Sequence, residues 1–241
     1  MEDDLVLERL DKILSHIGMG SRKDVRALIK AGLVKINDHL VIDSGYKIDP
    51  NKDLLEVDGK IITYTRYVYF MLNKPQGYIT ATEDNFQKTV LHLLDPRDYR
   101  KDLFPVGRLD KDTEGLLLLT NDGPLGHMLT KPSNGVPKRY YFETLEEMTP
   151  KSLDPLLKGV DLGDFMATAL EVKVLERKKG ELVIAEGKFH QVKRMCAALG
   201  YTIIYLERTE FGPLVLDGKL PRGGYRSLKD TEIALLKASK G

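Results

Sequence analysis

The stretch F-P-V-G-R-L-D-K-D-T-E-G-L-L-L-L-T-N-D-G occupies residues 104–123 of the chain. Its four consecutive leucines, residues 116–119, lie between Gly115 and an Asn-Asp-Gly turn signal, and a run of this length favours a buried strand over a buried helix. Gly107 and Gly115 bracket a polar cluster around Asp110, and glycine adopts backbone angles that other residues avoid. The stretch therefore predicts a carboxylate held in a loop before a buried strand. Such loops often carry catalytic groups, although an aspartate there is otherwise a turn former or a solvated charge.

The composition is that of a soluble globular protein. The 241 residues are 42% hydrophobic and 30% charged, enough for one large domain or for one medium and one small domain. No apolar run approaches the ~20 residues of a membrane span, and the acidic start of the chain differs from a signal peptide. The single Cys196 excludes an internal disulfide and favours a reducing compartment. We therefore expect a cytoplasmic protein that does not enter the membrane.

The net charge of +1 carries no sign of a nucleic-acid partner, but the distribution of charge does. Residues 9–35 contain seven basic and two acidic side chains, whereas residues 37–58 contain six acidic and two basic side chains. A segregated basic segment is what a polyanion-binding surface requires, although a solvated helix face gives the same pattern.

The first 60 residues predict a small helical module with short strands. Apolar residues at helical spacing predict a first helix over residues 5–17. Ser21 begins an S-x-x-D capping pattern for a second helix that ends near Gly32. Its apolar and basic side chains fall on neighbouring arcs, so that one face packs and the other presents positive charge. Strands are predicted at residues 34–41, with a turn at Asn37 and Asp38, at 46–48 and at 54–57.

This segment resembles the S4 RNA-binding module over about residues 5–60. The resemblance is carried by R-L-D-K at residues 9–12, S-R at 21–22, G-L-V at 32–34 and Asn37. It implies that basic side chains contact RNA phosphates, which position a protein without reading sequence. The implied RNA-binding residues are Arg9, Lys12, Arg22, Lys23, Arg26 and Lys30. The alternative is an amphipathic subdomain with a solvated basic face.

The rest of the chain predicts strands with few helices. Strands are predicted at residues 67–72, 138–143, 167–175, 181–186 and 202–206. Helices are predicted at residues 124–130, capped by Asn121 or Asp122, at the segment preceding Gly200, and at 230–237. In the second of these helices Lys193 and Arg194 lie near the N-terminal end, where the helix dipole disfavours cations. Such a basic pair is easier to explain if it serves a carboxylate or a phosphate.

Four motifs of this part resemble those of the RsuA-type pseudouridine synthases. They are G-R-L-D-x-x-T-x-G-L-L-L-L-T-N-D-G from Gly107, N-K-P-x-G from Asn73, K-x-Y from Lys138, and H-Q-V-K-R-M from His190. The resemblance implies that Asp110 is the catalytic residue, that Tyr140 contacts the target base, and that Lys193 pairs with Asp110. The implied substrate-binding residues are Arg108, Thr113, Lys74, Lys138, His190, Gln191 and Arg194. From the residues alone, Tyr140 is equally a core aromatic, and Arg108 an ion-pair partner of Glu114 or Asp112.

The fold expected from these elements is α+β. We predict an S4-like RNA-binding domain over residues 1–62, a linker at 63–66, and a pseudouridine synthase domain over 67–241. The resemblance implies that the second domain is built on a mainly antiparallel mixed sheet.

The function expected from the resemblance is isomerisation of a uridine in ribosomal RNA or in a ribosomal assembly intermediate. H-Q-V-K-R-M is closer to the small-subunit (16S) branch of the family than to large-subunit (23S) relatives with N-R-Q-V-R-R-M. Whether Asp110 acts as a nucleophile or as a base stays open. The alternatives are a 23S rRNA synthase, a non-catalytic RNA-binding or ribosome-assembly protein, and a glycosidic-bond hydrolase that uses Asp110 with Asp112. No metal-ligand spacing or nucleotide-binding motif occurs, so we expect no cofactor and no metal. We also expect a monomer.

Overall fold

The computed structural model describes residues 7–50 and 52–239, and these form two compact units. The N-terminal unit contains the described residues up to Val68 together with Asp98–Asp102. The C-terminal unit contains Tyr69–Arg97 and the described residues from Leu103 onward. Helices and mainly antiparallel strands occur in both units, so the predicted α+β class is confirmed.

The N-terminal unit packs two helices with short strands. Its elements in chain order are β1 Glu8–Arg9, α1 Leu10–His16, α2 Arg22–Lys30, β2 Val34–Ile36, β3 His39–Leu40, β4 Lys47–Ile48, β5 Leu55–Val57 and β6 Lys60–Ile62. Strands β3, β2, β5 and β6 form an antiparallel sheet in that order, and β1 pairs with β4. One hydrophobic cluster, which includes Leu10, Ile13, Val25 and Ile29, joins the helices to the sheet.

The first helix is shorter than the sequence predicted. Residues 5 and 6 lie outside the described residues, while Glu8 and Arg9 pair with Ile48 and Lys47 as strand β1. The apolar spacing could not show that residues 8 and 9 form a strand. They do so because they pair with β4, which lies almost 40 residues further along the chain. Helix α2 begins after the predicted cap Ser21, which exchanges hydrogen bonds with Asp24.

The C-terminal unit is built on one large sheet. Its strands are β7 Tyr69–Lys74, β8 Phe104–Pro105, β9 Glu114–Thr120, β10 Lys138–Thr144, β11 Val160–Asp161, β12 Met166–Ala167, β13 Glu171–Glu176, β14 Lys179–Ile184, β15 Ile203–Phe211, β16 Leu214–Val215 and β17 Tyr225–Ser227. Its helices are α3 Gly123–Thr130, α4 Pro155–Lys158, α5 Gln191–Ala198 and α6 Asp230–Ala238. The main strand order is β13-β14-β10-β15-β9-β7-β17, and β9 with β15 is the parallel pair in this order. The sheet is therefore mixed and mainly antiparallel.

The centre of this sheet is buried on both faces. All six residues of β7 are buried, as are the four leucines of β9, and residues 69–72 and 116–119 form continuous apolar runs within these strands. Most predicted strand bounds were within two residues of those observed, and two predictions failed by more. Strand β15 runs over nine residues rather than five, because it pairs with β10 past two irregularities in register. The segment 167–175 is not one strand, since Ala167 ends β12 and β13 begins at Glu171.

No helix within the parts of the chain that the structure describes is long and apolar enough to cross a membrane.

Candidate active site

The central motif forms a loop, residues 107–114, which we call the aspartate loop. It leads directly into β9, whose leucines anchor it in the sheet. Gly107 has φ +76° and Gly115 has φ +98°, a backbone conformation that favours glycine. At Gly115 a Cβ atom would also overlap with the backbone carbonyl of Arg208 on the parallel neighbour β15. The two glycines thus fix where the loop leaves the sheet.

Lys74, at the end of β7, holds the aspartate loop from inside the protein. Its side chain is fully buried, and Nζ donates to the carbonyl oxygens of Thr113 at 2.8 Å, Asp110 at 3.0 Å, Pro75 at 3.1 Å and Lys111 at 3.4 Å. Burial lowers the pKa of Lys74 to about 8, although nearby carboxylates oppose this shift. Lys74 was predicted to bind substrate, but with no exposed surface it contacts the loop backbone instead.

A second network fixes the far end of the loop at Glu114. Arg222 Nε lies 2.8 Å from Glu114 and its Nη2 lies 2.9 Å from Glu207. Arg222 also donates to Asn73 and, at 2.6 Å, to the hydroxyl of Tyr205, which in turn donates to Glu114 at 2.9 Å. The network joins β7, β9 and β15 to the segment that precedes β17. It was not predicted from the sequence.

Helix α5 brings a cation to the aspartate loop. Lys193 Nζ lies 3.2 Å from Asp110 Oδ2 and 2.6 Å from Asp112 Oδ1, and His190 Nε2 lies 3.6 Å from Asp110 Oδ1. The Asp110 side chain is 28% exposed and that of Asp112 is 69% exposed, so Asp110 is the more enclosed carboxylate. Burial alone would raise the pKa of Asp112, but the hydrogen bond and charge of Lys193 outweigh it and lower that pKa.

The start of α5 is held by contacts of its side chains within the C-terminal unit. His190 adopts a left-handed conformation with φ +49°. Gln191 is buried, donates to Glu186 at 2.7 Å and accepts from the backbone N–H of Lys188 at 3.0 Å. Arg194 donates to Asp164 and, at 2.7 Å, to the carbonyl of Leu162. Gln191 and Arg194, both predicted to bind substrate, are therefore engaged within the protein, whereas His190 faces Asp110.

Asp110 lies in an open pocket with about 390 Å³ of empty space. Strand β10 contributes Tyr140, which is 7% exposed, and the aspartate loop contributes Thr113, whose buried hydroxyl has no hydrogen-bond partner. The other functional candidates in the lining are Arg108, His190, Gln191 and Lys193. An aromatic ring, a free hydroxyl and a paired carboxylate thus face one space.

Arg108 is exposed, and it lines this pocket and two neighbouring pockets. The alternative, in which Arg108 forms an ion pair with Glu114 or Asp112, is wrong, because among the described residues neither carboxylate pairs with Arg108. Glu114 pairs with Arg222, and Asp112 pairs with Lys193.

Lys138 lies at the start of β10 and lines the second pocket. Its Nζ donates to the carbonyls of Val136 at 2.7 Å and Ala185 at 2.9 Å. Burial lowers the pKa of Lys138 to about 8, and the charge of Arg208 adds to this shift.

Among the residues that the structure describes, no three His, Cys, Asp or Glu side chains converge as metal ligands.

The basic residues predicted to bind RNA in the N-terminal unit differ in their pairing. Arg9 lies 2.9 Å and Arg26 3.7 Å from Asp11, and Lys12 lies 3.8 Å from Glu8. The cations of α2 that are exposed and have no ion pair with a described residue are Arg22, Lys23 and Lys30. These three are the most available for phosphate.

Several residues that organise the site were missed by sequence reasoning. They are Asn73, Glu114, Tyr205, Glu207, Arg208 and Arg222. A usable signal existed for Glu207 and Arg208, because these two charged residues directly follow the uncharged run 203–206, and buried charges require partners. The strand was predicted to end at residue 206, so this signal was overlooked.

Two segments of the chain match known protein families. Residues 68–198 match the family described as RNA pseudouridylate synthase. Residues 8–54 match the S4 domain family.

Named relatives resemble the chain along nearly its whole length. The uncharacterized RNA pseudouridine synthase YtzG of Bacillus subtilis is 42% identical, with 95% of this chain and 98% of that protein covered. The ribosomal small subunit pseudouridine synthase A of Yersinia pestis is 38% identical, with 94% and 97% covered. The ribosomal large subunit pseudouridine synthase B of Bacillus subtilis is 37% identical, with 96% of each chain covered. A crystal structure of a pseudouridylate synthase superposes with a TM-score of 0.67 at 33% identity, covering 95% of this chain and 99% of that one.

Proposed function

Because this chain belongs to the RNA pseudouridine synthase family, we propose that it converts a uridine of ribosomal RNA into pseudouridine, with the target in the small-subunit (16S) rRNA. The proposed catalytic residues are Asp110, Tyr140 and Lys193. The observation that carries this assignment is the 3.2 Å contact between Lys193 and Asp110, which are 83 positions apart in sequence, at the wall of an open pocket.

The reaction sets clear demands on these residues. The bond between C1′ of the ribose and N1 of the base breaks, the base rotates, and C1′ rejoins the base through C5. The proton of C5 then leaves and N1 gains one, so the product is an isomer of the substrate. A carboxylate beside the ribose serves this chemistry either as nucleophile or as base toward a ribose proton. In our proposal Asp110 takes one of these two roles, and Lys193 supplies the positive charge that pairs with it at 3.2 Å.

The target uridine must leave its stacked helix to reach such a pocket, at a cost of roughly a few kcal/mol. In our proposal Tyr140, which lines the pocket with Asp110, contacts the extruded base, since aromatic rings commonly stack on unstacked RNA bases. The unpartnered hydroxyl of Thr113 offers a hydrogen bond to the nucleotide. Arg108, exposed at the meeting point of three pockets, is the proposed contact to the RNA that the base leaves behind.

We assign RNA tethering to an S4-like domain over residues 1–62, followed by a linker at 63–66 and a catalytic domain over 67–241. Helix α2 supports this role because Arg22, Lys23 and Lys30 are exposed and form no ion pair with a described residue. A linked binding module raises the effective concentration of the catalytic domain on its RNA. The proposal needs no cofactor or metal, and it describes a monomer that acts in the cytoplasm.

The choice of the small subunit rests on the H-Q-V-K-R-M motif, with His190 and Lys193 both near Asp110. The similar identities to a small-subunit and a large-subunit synthase, 38% and 37%, make 23S rRNA the competing substrate.

The test is to incubate the purified protein separately with 16S and 23S rRNA transcripts and to map pseudouridine at nucleotide resolution. We expect one new pseudouridine in 16S rRNA, and none with the Asp110→Asn variant. A new site in 23S rRNA alone would reject the small-subunit assignment. If the protein binds RNA tightly but forms no product on either RNA or on ribosomal assembly intermediates, the non-catalytic alternative is favoured. Release of free uracil would favour the hydrolase.

A further inference from the structure

Arg208 on β15 is a buried cation without a counter-charge. Its side chain is 1% exposed, its Nε donates to the carbonyl of Leu116 at 2.9 Å, and its guanidinium lies 4.9 Å from the ring centre of Phe211. Its Nη2 has no hydrogen-bond partner, and none of the carboxylates in the described residues forms an ion pair with it. A guanidinium cannot lose its proton in a protein. The unpaired nitrogen therefore carries a free-energy cost in this structure.

Lys138 on the adjacent strand β10 is a second cation at this place, half-buried and without an ion pair to a described residue. Its ammonium donates to two carbonyl oxygens, and an ammonium has three donors, so one donor remains. Burial and the charge of Arg208 lower the pKa of Lys138 to about 8, and the opposing charge of Glu186 does not cancel this shift. Glu186, an acidic residue near them, already accepts a hydrogen bond from Gln191.

Both side chains line the second pocket, which has about 660 Å³ of empty space. Arg108 and Lys131 add positive charge at its exposed edge, and Glu186 is the acidic residue of the lining. Arg108 and Tyr140 line both this pocket and the one that contains Asp110. A ligand group bound here would therefore lie next to the nucleotide on which Asp110 is proposed to act.

We propose that Arg208 and Lys138 form the floor of an anion site that takes a phosphate group of the RNA backbone beside the target uridine. The inference rests on the proposed function, which supplies RNA as the ligand. A phosphate oxygen accepts hydrogen bonds from both cations and balances their charge, whereas a neutral uracil carbonyl leaves the charge uncompensated. The site fixes the position of the backbone and with it the approach of C1′ to Asp110. Arg208 and Lys138 are positioning residues in this assignment.

A binding experiment tests the site without turnover. The ¹⁵N signal of the Lys138 ammonium is followed in the full-length protein while inorganic phosphate is added at constant ionic strength. A bound anion favours the charged form of lysine, so the pKa of Lys138 should rise from about 8. The same titration on Lys219→Met, which removes a charge from an exposed lysine outside the pocket, should give the same rise. An unchanged pKa of Lys138 at high phosphate would overturn the site.

An RNA experiment tests its use. Lys138→Met, checked for folding by thermal melting, should raise KM for rRNA about tenfold, as expected for one charged hydrogen bond, with a smaller change in kcat. It should also reduce the slope of log affinity against log salt by about 0.7, the value for one phosphate contact to single-stranded RNA. An unchanged salt slope with a folded variant would contradict a phosphate contact. The test of the phosphate site and the test of the proposed function can fail separately. If the protein forms pseudouridine but Lys138→Met changes neither KM nor the salt slope, only the phosphate site is rejected. If phosphate raises the pKa of Lys138 but no pseudouridine forms, only the enzymatic assignment is rejected.

Discussion

The two units use positive charge in opposite ways. In the N-terminal unit, Arg22, Lys23 and Lys30 stand exposed on α2, and the structure gives them no ion pair with a described residue. In the C-terminal unit, Lys74 is fully buried and Lys193 is held between two carboxylates. An exposed cation attracts any phosphate within reach, whereas a buried or paired cation acts at one place only.

The difference separates affinity from geometry. A surface of mobile charges provides binding that is sensitive to salt and indifferent to sequence. Cations with fixed partners hold the aspartate loop in one arrangement, because an unpaired buried charge is costly. Substitutions in the two units should therefore fail in different assays.

The largest effect is expected for Asp110→Asn. If Asp110 is the reacting carboxylate, the amide should lower kcat by more than about a thousandfold, as for other essential catalytic groups, while RNA affinity stays near that of the wild type. Single-turnover pseudouridine formation and filter binding measure the two quantities. Asp112→Asn is the matched control, since Asp112 shares Lys193 but is 69% exposed, and it should lose less than about tenfold. Equal losses for the two variants would mean that Asp110 has no special role.

Lys193→Met should have the next largest effect. Removing the ammonium deprives Asp110 of its counter-charge, and we expect kcat to fall about a hundredfold, the loss typical of a removed electrostatic contact. The pKa of Asp112 should rise, because Lys193 supplies the hydrogen bond and charge that lower it.

Lys193→Arg serves as the conservative partner, and it should recover most of kcat because the charge is kept although the geometry changes. If Lys193→Met is as active as the wild type, the paired cation Lys193 has no catalytic role, and the contrast between paired and exposed cations fails.

Lys74→Met should act on stability. It leaves the loop carbonyls that Lys74 binds without a donor, so the free energy of unfolding should fall by about 2–4 kcal/mol. The pH dependence carries a definite sign. With a pKa of about 8 when folded and 10.5 when unfolded, Lys74 binds its proton more weakly in the folded protein, so the wild type gains stability as pH rises between these values.

Chemical denaturation at pH 7, 8, 9 and 10 measures this effect. The stability difference between wild type and Lys74→Met should widen over that range. A difference that is constant, or that narrows as pH rises, would show that the charge of Lys74 is not suppressed by burial.

The smallest effect is expected for the double variant Arg22→Gln, Lys23→Gln on α2. RNA affinity should fall about tenfold and the salt slope by about 1.4, for two phosphate contacts, while kcat at saturating RNA is unchanged. The matched control neutralises two exposed lysines of the same unit, Lys47→Gln and Lys60→Gln, and should change affinity much less. Equal losses in both double variants would indicate general attraction and not a binding face on α2.

Local features of the fold were predictable because their causes lie within a few residues. The Ser21 cap of α2, the Asp122 cap of α3 and the turn at residues 37–38 all follow from short-range hydrogen bonds and backbone preferences. The bounds of β1 and β15 were not predictable, since pairing with β4 and β10 determines where these strands begin and end.

The site shows the same division. The motif resemblance singled out Asp110, Tyr140 and Lys193, and the structure places them around one pocket. The same resemblance did not separate residues that face this pocket from those that support it. Lys74 carries a motif identity, yet its buried side chain binds the loop backbone. Gln191 lines the pocket, but its side-chain amide already donates to Glu186.

By itself the sequence determined the α+β class, the basic helix α2, the carboxylate loop and the membership of a family, because these depend on residue order and local chemistry. Only the tertiary structure decided that Lys74 binds the loop backbone from inside the protein, that Arg222 fixes the end of the loop, and that Arg208 is buried without an ion pair to a described residue. Those contacts join strands that are distant in the sequence, and burial, which gives a charge its energetic weight, exists only once the sheet has formed.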